Sequence, residues 1–132
     1  GLEGASLNIK LKYIEAWNQK RQEIAKRYLT EINNSRIQMQ FQPEWAESVF
    51  HLFVVIADNK LEFENHLKEN SINPAYHYPV PCHLQKAYSN LNYKKGDFPN
   101  SEYLAENCIS LPMYAELNME DVSKIIKVVN SF

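Results

Sequence analysis

The sequence predicts an α/β protein, a two-layer α+β sandwich closed around one core. Three observations carry that reading. An apolar stripe at helical spacing opens the chain, a nearly continuous run of β-branched and aromatic residues follows, and short strand patterns then alternate with capped helical ones. A chain of 132 residues can enclose one apolar core, so residues 1–132 are read as a single domain.

From Ala5 to about Ile32 the spacing predicts one uninterrupted helix. Leu7, Leu11, Ile14, Trp17, Ile24, Tyr28 and Ile32 recur at steps of three, four and seven, no proline intervenes, and Asn33-Asn34-Ser35 supplies the stop. Such a helix would be about 40 Å long. That exceeds what a domain of this size needs, so part of its face is expected to pack on something outside the chain. Ile37, Met39 and Phe41 alternate with polar residues and predict a strand with one face buried, broken by Pro43. Val49 to Ala57 predicts a central strand buried on both faces, with His51 as a hydrogen-bonded core histidine.

Asp58 and Asn59 are good caps for a helix over Leu61 to Glu69, ending near Asn70-Ser71. Ile72, Ala75, Tyr76 and Tyr78 predict a strand leading into Pro79-Val80-Pro81, and His83 to Tyr88 a short helical turn. Ser101 is placed to cap a helix over Glu102 to Asn107 whose Glu and Asn positions face solvent. Ile109-Ser110-Leu111 reads as a brief strand stopped by Pro112. Asn118 caps a last helix, Met119 to Asn130, with Val122, Ile125, Ile126 and Val129 on its apolar face. Trp17 and Trp45 are expected to be packing residues.

Composition narrows the function classes. Apolar residues make up 45% and charged residues 23%, the balance of a folded globular protein. A net charge of -2 offers no footprint for nucleic acid or an anionic membrane. The longest apolar stretch, Val49 to Ala57, is too short to span a bilayer, and a cytoplasmic location is expected. Cys82 and Cys108 stand far apart and read as free thiols. His77 and His83, with His51 or His66, match no metal-ligand spacing, and Cys82 beside His83 has no third group to make it a nucleophile.

The informative segment is Ala75 to Tyr88, A-Y-H-Y-P-V-P-C-H-L-Q-K-A-Y. Its two prolines each fix φ and restrict the preceding residue, giving a stiff loop. Two histidines, tyrosines and a glutamine ride on it, groups that exchange hydrogen bonds with sugar hydroxyls. On residues alone, the favoured reading is the plainer one, that Tyr76 and Tyr78 are core aromatics and the prolines merely shape a turn.

That segment resembles the H-Y-P-x-P-x-H-x-Q-x-A-Y signature of the DegT/DnrJ/StrS sugar aminotransferase family. Gly4-Ala5-Ser6-Leu7, Lys10-Leu11-Lys12-Tyr13 and Trp17-Asn18 resemble its A-x-L-x-x-K-L-x-x-L-x-x-W-N helix, continued by Arg21, Ile24, Ala25 and Tyr28. Ser48 to Phe53 resembles its H-L-F/Y strand, and Ile109 to Tyr114 with Leu117 its L-S-L-P run. The resemblance implies the small C-terminal domain of a fold-type I pyridoxal-phosphate aminotransferase. Residues 1–32 would be the interdomain helix and 33–132 the α/β sandwich with a mostly antiparallel sheet.

It implies further that pyridoxal phosphate belongs to the full-length enzyme, whose cofactor lysine lies upstream, so no catalytic residue and no cofactor are expected in this chain alone. The opening Gly1, with three glycines in all, fits a portion of a longer protein. The implied partners are a missing N-terminal large domain, a sugar-nucleotide substrate and a second copy in a homodimer. His77, Tyr78 and His83 are the implied substrate contacts; Cys82 fills a variable position. The implied reaction moves an amino group from glutamate to a keto-6-deoxy-sugar nucleotide, with a dTDP-3-keto-6-deoxyhexose first and a 4-keto sugar second. A stand-alone sugar-binding or regulatory module is the reading from another class.

Overall fold

The computed structural model describes every residue from Gly1 to Phe132. Its elements follow in the order α1 (Leu2–Leu11), α2 (Ile14–Glu31), β1 (Ile37–Met39), β2 (Phe53–Ala57), α3 (Lys60–Glu69), two 3-10 turns (Cys82–Leu84 and Lys86–Leu91), α4 (Pro99–Asn107), β3 (Cys108–Leu111) and α5 (Met119–Asn130). The three strands form one antiparallel sheet in the order β1-β2-β3, with Met39 opposite Val55 and Val55 opposite Ile109.

The core lies between one face of this sheet and α2, α3 and α5. Ile24, Ala25 and Tyr28 of α2 meet Phe53, Val55, Ile109 and Leu111 of the sheet, Phe63 and Leu67 of α3, and Val122, Ile125, Ile126 and Val129 of α5. Tyr28 stacks edge-on against Phe53 at 4.9 Å between ring centres and donates its hydroxyl to the Pro112 carbonyl at 3.0 Å. Burial, with a smaller contribution from the neighbouring Tyr114, raises the pKa of that phenol well above its ordinary value.

Local signals hold where their partners are local. The Asn59 side chain accepts from the Glu62 amide and that of Asn118 from the Asp121 amide, each satisfying one of the free donors at a helix start. Arg27 ties α2 to α5 through the Met119 carbonyl and the Ser123 hydroxyl. At the chain end, Arg36 pairs with Asp58 and Glu62, donates to the Phe132 carbonyl and lies 3.8 Å over the Phe132 ring.

Several expectations need correction. The opening helix is two helices: at Lys12 and Tyr13 the bonding tightens to the carbonyls three residues back, Ile9 and Lys10. No proline or glycine forces the break. α1 buries no residue, so no packing within the chain holds it in line with α2. The first strand ends at Met39, leaving Phe41 85% exposed, and Trp45 is 88% exposed rather than packed.

β2 is buried alternately, not on both faces: Phe53, Val55 and Ala57 face the core while Val54 and Ile56 stay half-buried. His51 precedes the strand and is exposed. Ile72 to Tyr78 make no strand; only Ala75 bridges to Ser110. The helix before β3 begins earlier than expected, at Pro99, with Phe98 rather than Ser101 at its cap. Proline suits a first helical turn, where its missing N–H would have no partner.

No helix is long and apolar enough to cross a membrane. α1 carries an unpartnered apolar stripe, with Leu7 65% and Leu11 67% exposed. The isolated chain is therefore expected to self-associate, since large exposed apolar patches attract a partner. Leu7→Glu combined with Leu11→Glu should shift its sedimentation toward monomer, with stability changed by less than about 0.5 kcal/mol. A wild-type chain that stays monomeric at high concentration would contradict this.

Candidate functional site

On the sheet face away from the core, two residues of β3 meet the proline loop. Strand residues alternate sides, so Ile109 and Leu111 enter the core while Cys108 and Ser110 face the other way, opposite Ile56 and Val54. On this second face Cys108 and Ser110 are buried, while Val54 and Ile56 remain half-buried.

The chain buries two polar residues, Ser110 and Glu102, and each holds one histidine of the loop. Ser110 exchanges backbone hydrogen bonds with Ala75 at 3.1 and 2.8 Å, and its hydroxyl lies 2.9 Å from His77 Nδ1. Glu102 Oε1 lies 3.0 Å from His83 Nε2. The same carboxylate accepts the Gly96 amide at 2.8 and 3.0 Å and the Phe98 amide at 3.4 Å. Between these anchors Pro81 is extended and the chain turns through Cys82–Leu84, with Leu84 N–H donating to the Pro81 carbonyl and Gln85 N–H to that of Cys82.

Burial pushes the Glu102 carboxyl upward, but the Gly96 amide, His83 and the Phe98 amide outweigh it and hold the pKa below the ordinary 4.5. Glu102 is therefore an ionised acceptor at neutral pH. The His83 and Glu102 side chains are 8% and 9% exposed, so water screens this pair little. The His83 ring is also walled by Phe98 at 4.8 Å and Tyr93 at 6.5 Å.

These anchors shape a cavity of about 540 Å³. The loop contributes His77, Tyr78, Val80, Pro81, Cys82, His83 and Gln85. The segment after it adds Tyr88, Leu91, Tyr93 and Phe98, and α4 with the start of β3 adds Ser101, Leu104, Ala105 and Cys108. All three residues expected from the sequence line it. His77 and His83 are partly buried, and Tyr78, edge-on to His77 at 5.3 Å, is 69% exposed. Tyr76 instead packs on the core, so Tyr76 and Tyr78 divide between structure and cavity. The volume and mixed lining suit a ligand of monosaccharide size or somewhat larger, with apolar walls and a few fixed polar groups.

Sequence reasoning missed Glu102 and the aromatic pair Tyr93 and Phe98. Glu102 was expected to face solvent with the other acidic positions of its helix. One signal was available: Glu102, Ala105 and Cys108 are spaced by three, which sets the carboxylate on the helix's buried side. No group of three or more His, Cys, Asp or Glu side chains is gathered to hold a metal ion.

Gly96 makes the Glu102 contact possible. Its φ of +100° is a conformation that side-chain-bearing residues rarely adopt, while space for a Cβ is open. Gly96→Ala is expected to destabilise the domain by about 1–2 kcal/mol from backbone strain alone. Gly4→Ala, in the exposed helix α1, should not destabilise it. Urea melts of the two variants check both expectations.

The chain is a small α/β domain, an antiparallel sheet packed by helices on one face with a cavity on the other. Among solved structures, Streptomyces venezuelae DesV in complex with a ketimine intermediate superposes with a TM-score of 0.91 at 30% identity, covering 96% of this chain and 34% of that one. The profile of the DegT/DnrJ/EryC1/StrS aminotransferase family matches residues 2–130, and the chain belongs to that family.

A dTDP-3-amino-3,6-dideoxy-alpha-D-galactopyranose transaminase of Aneurinibacillus thermoaerophilus is 37% identical over 131 residues, 99% of this chain and 36% of the relative. The erythromycin biosynthesis sensory transduction protein EryC1 of Saccharopolyspora erythraea is 34% identical over 131 residues, again covering 36% of the relative. The chain thus spans about a third of the length of the curated relatives it matches.

Proposed function

We propose that the whole protein is a pyridoxal-phosphate-dependent aminotransferase that moves an amino group from glutamate to a keto-6-deoxy-sugar nucleotide. This domain would supply the sugar-facing wall of its site. The single observation that carries this reading is the cavity, on which His77, Tyr78 and His83 converge and where two buried polar residues fix the histidines. The relative named as a dTDP-3-amino-3,6-dideoxy-alpha-D-galactopyranose transaminase favours a 3-keto substrate. A sugar presents hydroxyls that pair with imidazole and phenol, and a 6-deoxy carbon suits walls such as Val80, Leu91 and Leu104.

The residues of this chain do not by themselves fit the cofactor. Holding it requires a lysine inside the site, and no lysine lines the cavity. Lys60, the least exposed of them, donates to the Ala105 carbonyl at 3.3 Å and lies 5.4 Å from the Tyr76 ring centre. The cofactor lysine is accordingly assigned to a large domain preceding this one, with α1 in the connection and the second half of α2 already in the core. A homodimer that completes the site belongs to the same reading.

The test is turnover by the full-length enzyme of a panel of 3-keto and 4-keto sugar nucleotides with glutamate. Preference for a 3-keto-6-deoxy substrate is expected, and no turnover of any member would refute the reading. The present chain alone should form no Schiff base with pyridoxal phosphate. A borohydride-trapped adduct on one of its lysines, found by mass spectrometry, would place the chemistry here instead.

A further inference from the structure

We propose that Glu102 is a positioning residue that holds His83 with its proton on Nε2, so that Nδ1 receives a hydrogen bond from a substrate hydroxyl. The inference rests on the sugar-binding reading of the cavity and adds a polarity to it.

An ionised carboxylate only accepts, so the 3.0 Å contact requires Nε2 to donate. In the neutral ring the other nitrogen is then an acceptor. Nδ1 has no partner within the chain, yet no buried side-chain nitrogen or oxygen lacks one, so Nδ1 is open, on a residue that lines the cavity. Phe98 and Tyr93 wall the ring and oppose its flipping. Because Glu102 also accepts the Gly96 and Phe98 amides, one carboxylate orients the imidazole and the turn that carries its aromatic walls.

The consequence is chemical selectivity. A neutral His83 accepts from a hydroxyl and gains nothing from a carbonyl oxygen, which offers no proton. The sugar position beside His83 is therefore a hydroxyl-bearing carbon and not the keto carbon that receives the amine.

The experiment uses full-length enzyme labelled with ¹⁵N-histidine, with the His83 signals assigned by their loss in His83→Gln. At pH 8 the wild type is expected to show a protonated Nε2 and an unprotonated Nδ1. A proton on Nδ1, alone or together with Nε2, overturns the proposal without any substitution in Glu102. In Glu102→Gln the amide can both donate and accept, so a mixture of the two tautomers is expected. The KM for the keto-sugar nucleotide should then rise about twofold, less than in His83→Ala, with a much smaller change in kcat, and Glu102→Asp should restore the wild-type tautomer in part.

A Gln variant with unchanged tautomer and unchanged KM would also overturn it. Replacing sugar hydroxyls one at a time by fluorine, which cannot donate, should cost about tenfold in kcat/KM at one position, and His83→Ala should abolish that difference. If the enzyme turns over no keto-sugar nucleotide, the functional reading fails, while the nitrogen spectra still decide the tautomer.

Discussion

Replacing Phe53 by alanine is expected to lower the stability of this domain by about 3–5 kcal/mol, as for other large aromatic residues removed from a packed core. Phe53 is fully buried on the central strand. Its ring centre lies 4.9 Å from that of Tyr28 and 6.0 Å from that of Phe50, and its backbone pairs with Leu111. The substitution thus opens a hole where α2, β2 and β3 meet, and these elements cannot close it without shifting the Tyr28 hydroxyl from the Pro112 carbonyl. A domain of this size has about 5–15 kcal/mol in total. Much of the variant should therefore unfold on modest warming. Phe41→Ala is the control: 85% exposed, it should stay within about 0.5 kcal/mol of wild type. Urea melts of the 132-residue chain measure both, and equal midpoints for the two variants would show that the core lies elsewhere.

The second large effect is on substrate use by the full-length enzyme. His77→Ala and His83→Ala should each reduce kcat/KM for the keto-sugar nucleotide about two- to tenfold, more than they affect the half-reaction with glutamate. A neutral hydrogen bond contributes about 0.5–1.5 kcal/mol, which sets that range. Pro79 and Pro81 stiffen the loop, and Ser110 and Glu102 hold its two ends, so the imidazoles are ordered before a ligand arrives. A loss of several hundredfold would assign one of them to proton transfer. Early melting with wild-type kinetics in the folded fraction would make the loop structural, and the site assignment would be wrong. Melting temperatures accompany the kinetics for that reason, above all for His83, whose removal leaves Glu102 short of one partner.

These experiments probe parts of the molecule that were unequally legible in the sequence. The loop was legible because the residues that stiffen it and those that face the cavity lie within one short segment. So were the starts of α3 and α5, since Asn59 and Asn118 each bond an amide three residues on. The apolar face of α5 was equally plain, because its spacing follows from the helix repeat. The resemblance carried by the motifs added the family, which neither charge nor periodicity could supply.

Tertiary structure alone decided the rest. Phe41 and Trp45 have the composition of packing residues, yet no element comes to cover them. Val54 and Ile56 look like Val55 by sequence, yet they lie on the sheet face away from the core and stay half-buried. Lys12 and Tyr13 have ordinary helical surroundings, and the turn there follows from a helix with nothing in the chain to lean on. Glu102 is the clearest case. The spacing of Glu102 with Ala105 indicates only the side it faces, and what lets an ionised carboxylate be buried there is two amides and an imidazole brought from 4, 6 and 19 residues away. Capping and periodicity act over about four residues and are written locally. Desolvation and its compensation depend on which distant groups the fold delivers, so the acceptor that orients His83 emerges only once α4, the Gly96 turn and the proline loop have closed on one another.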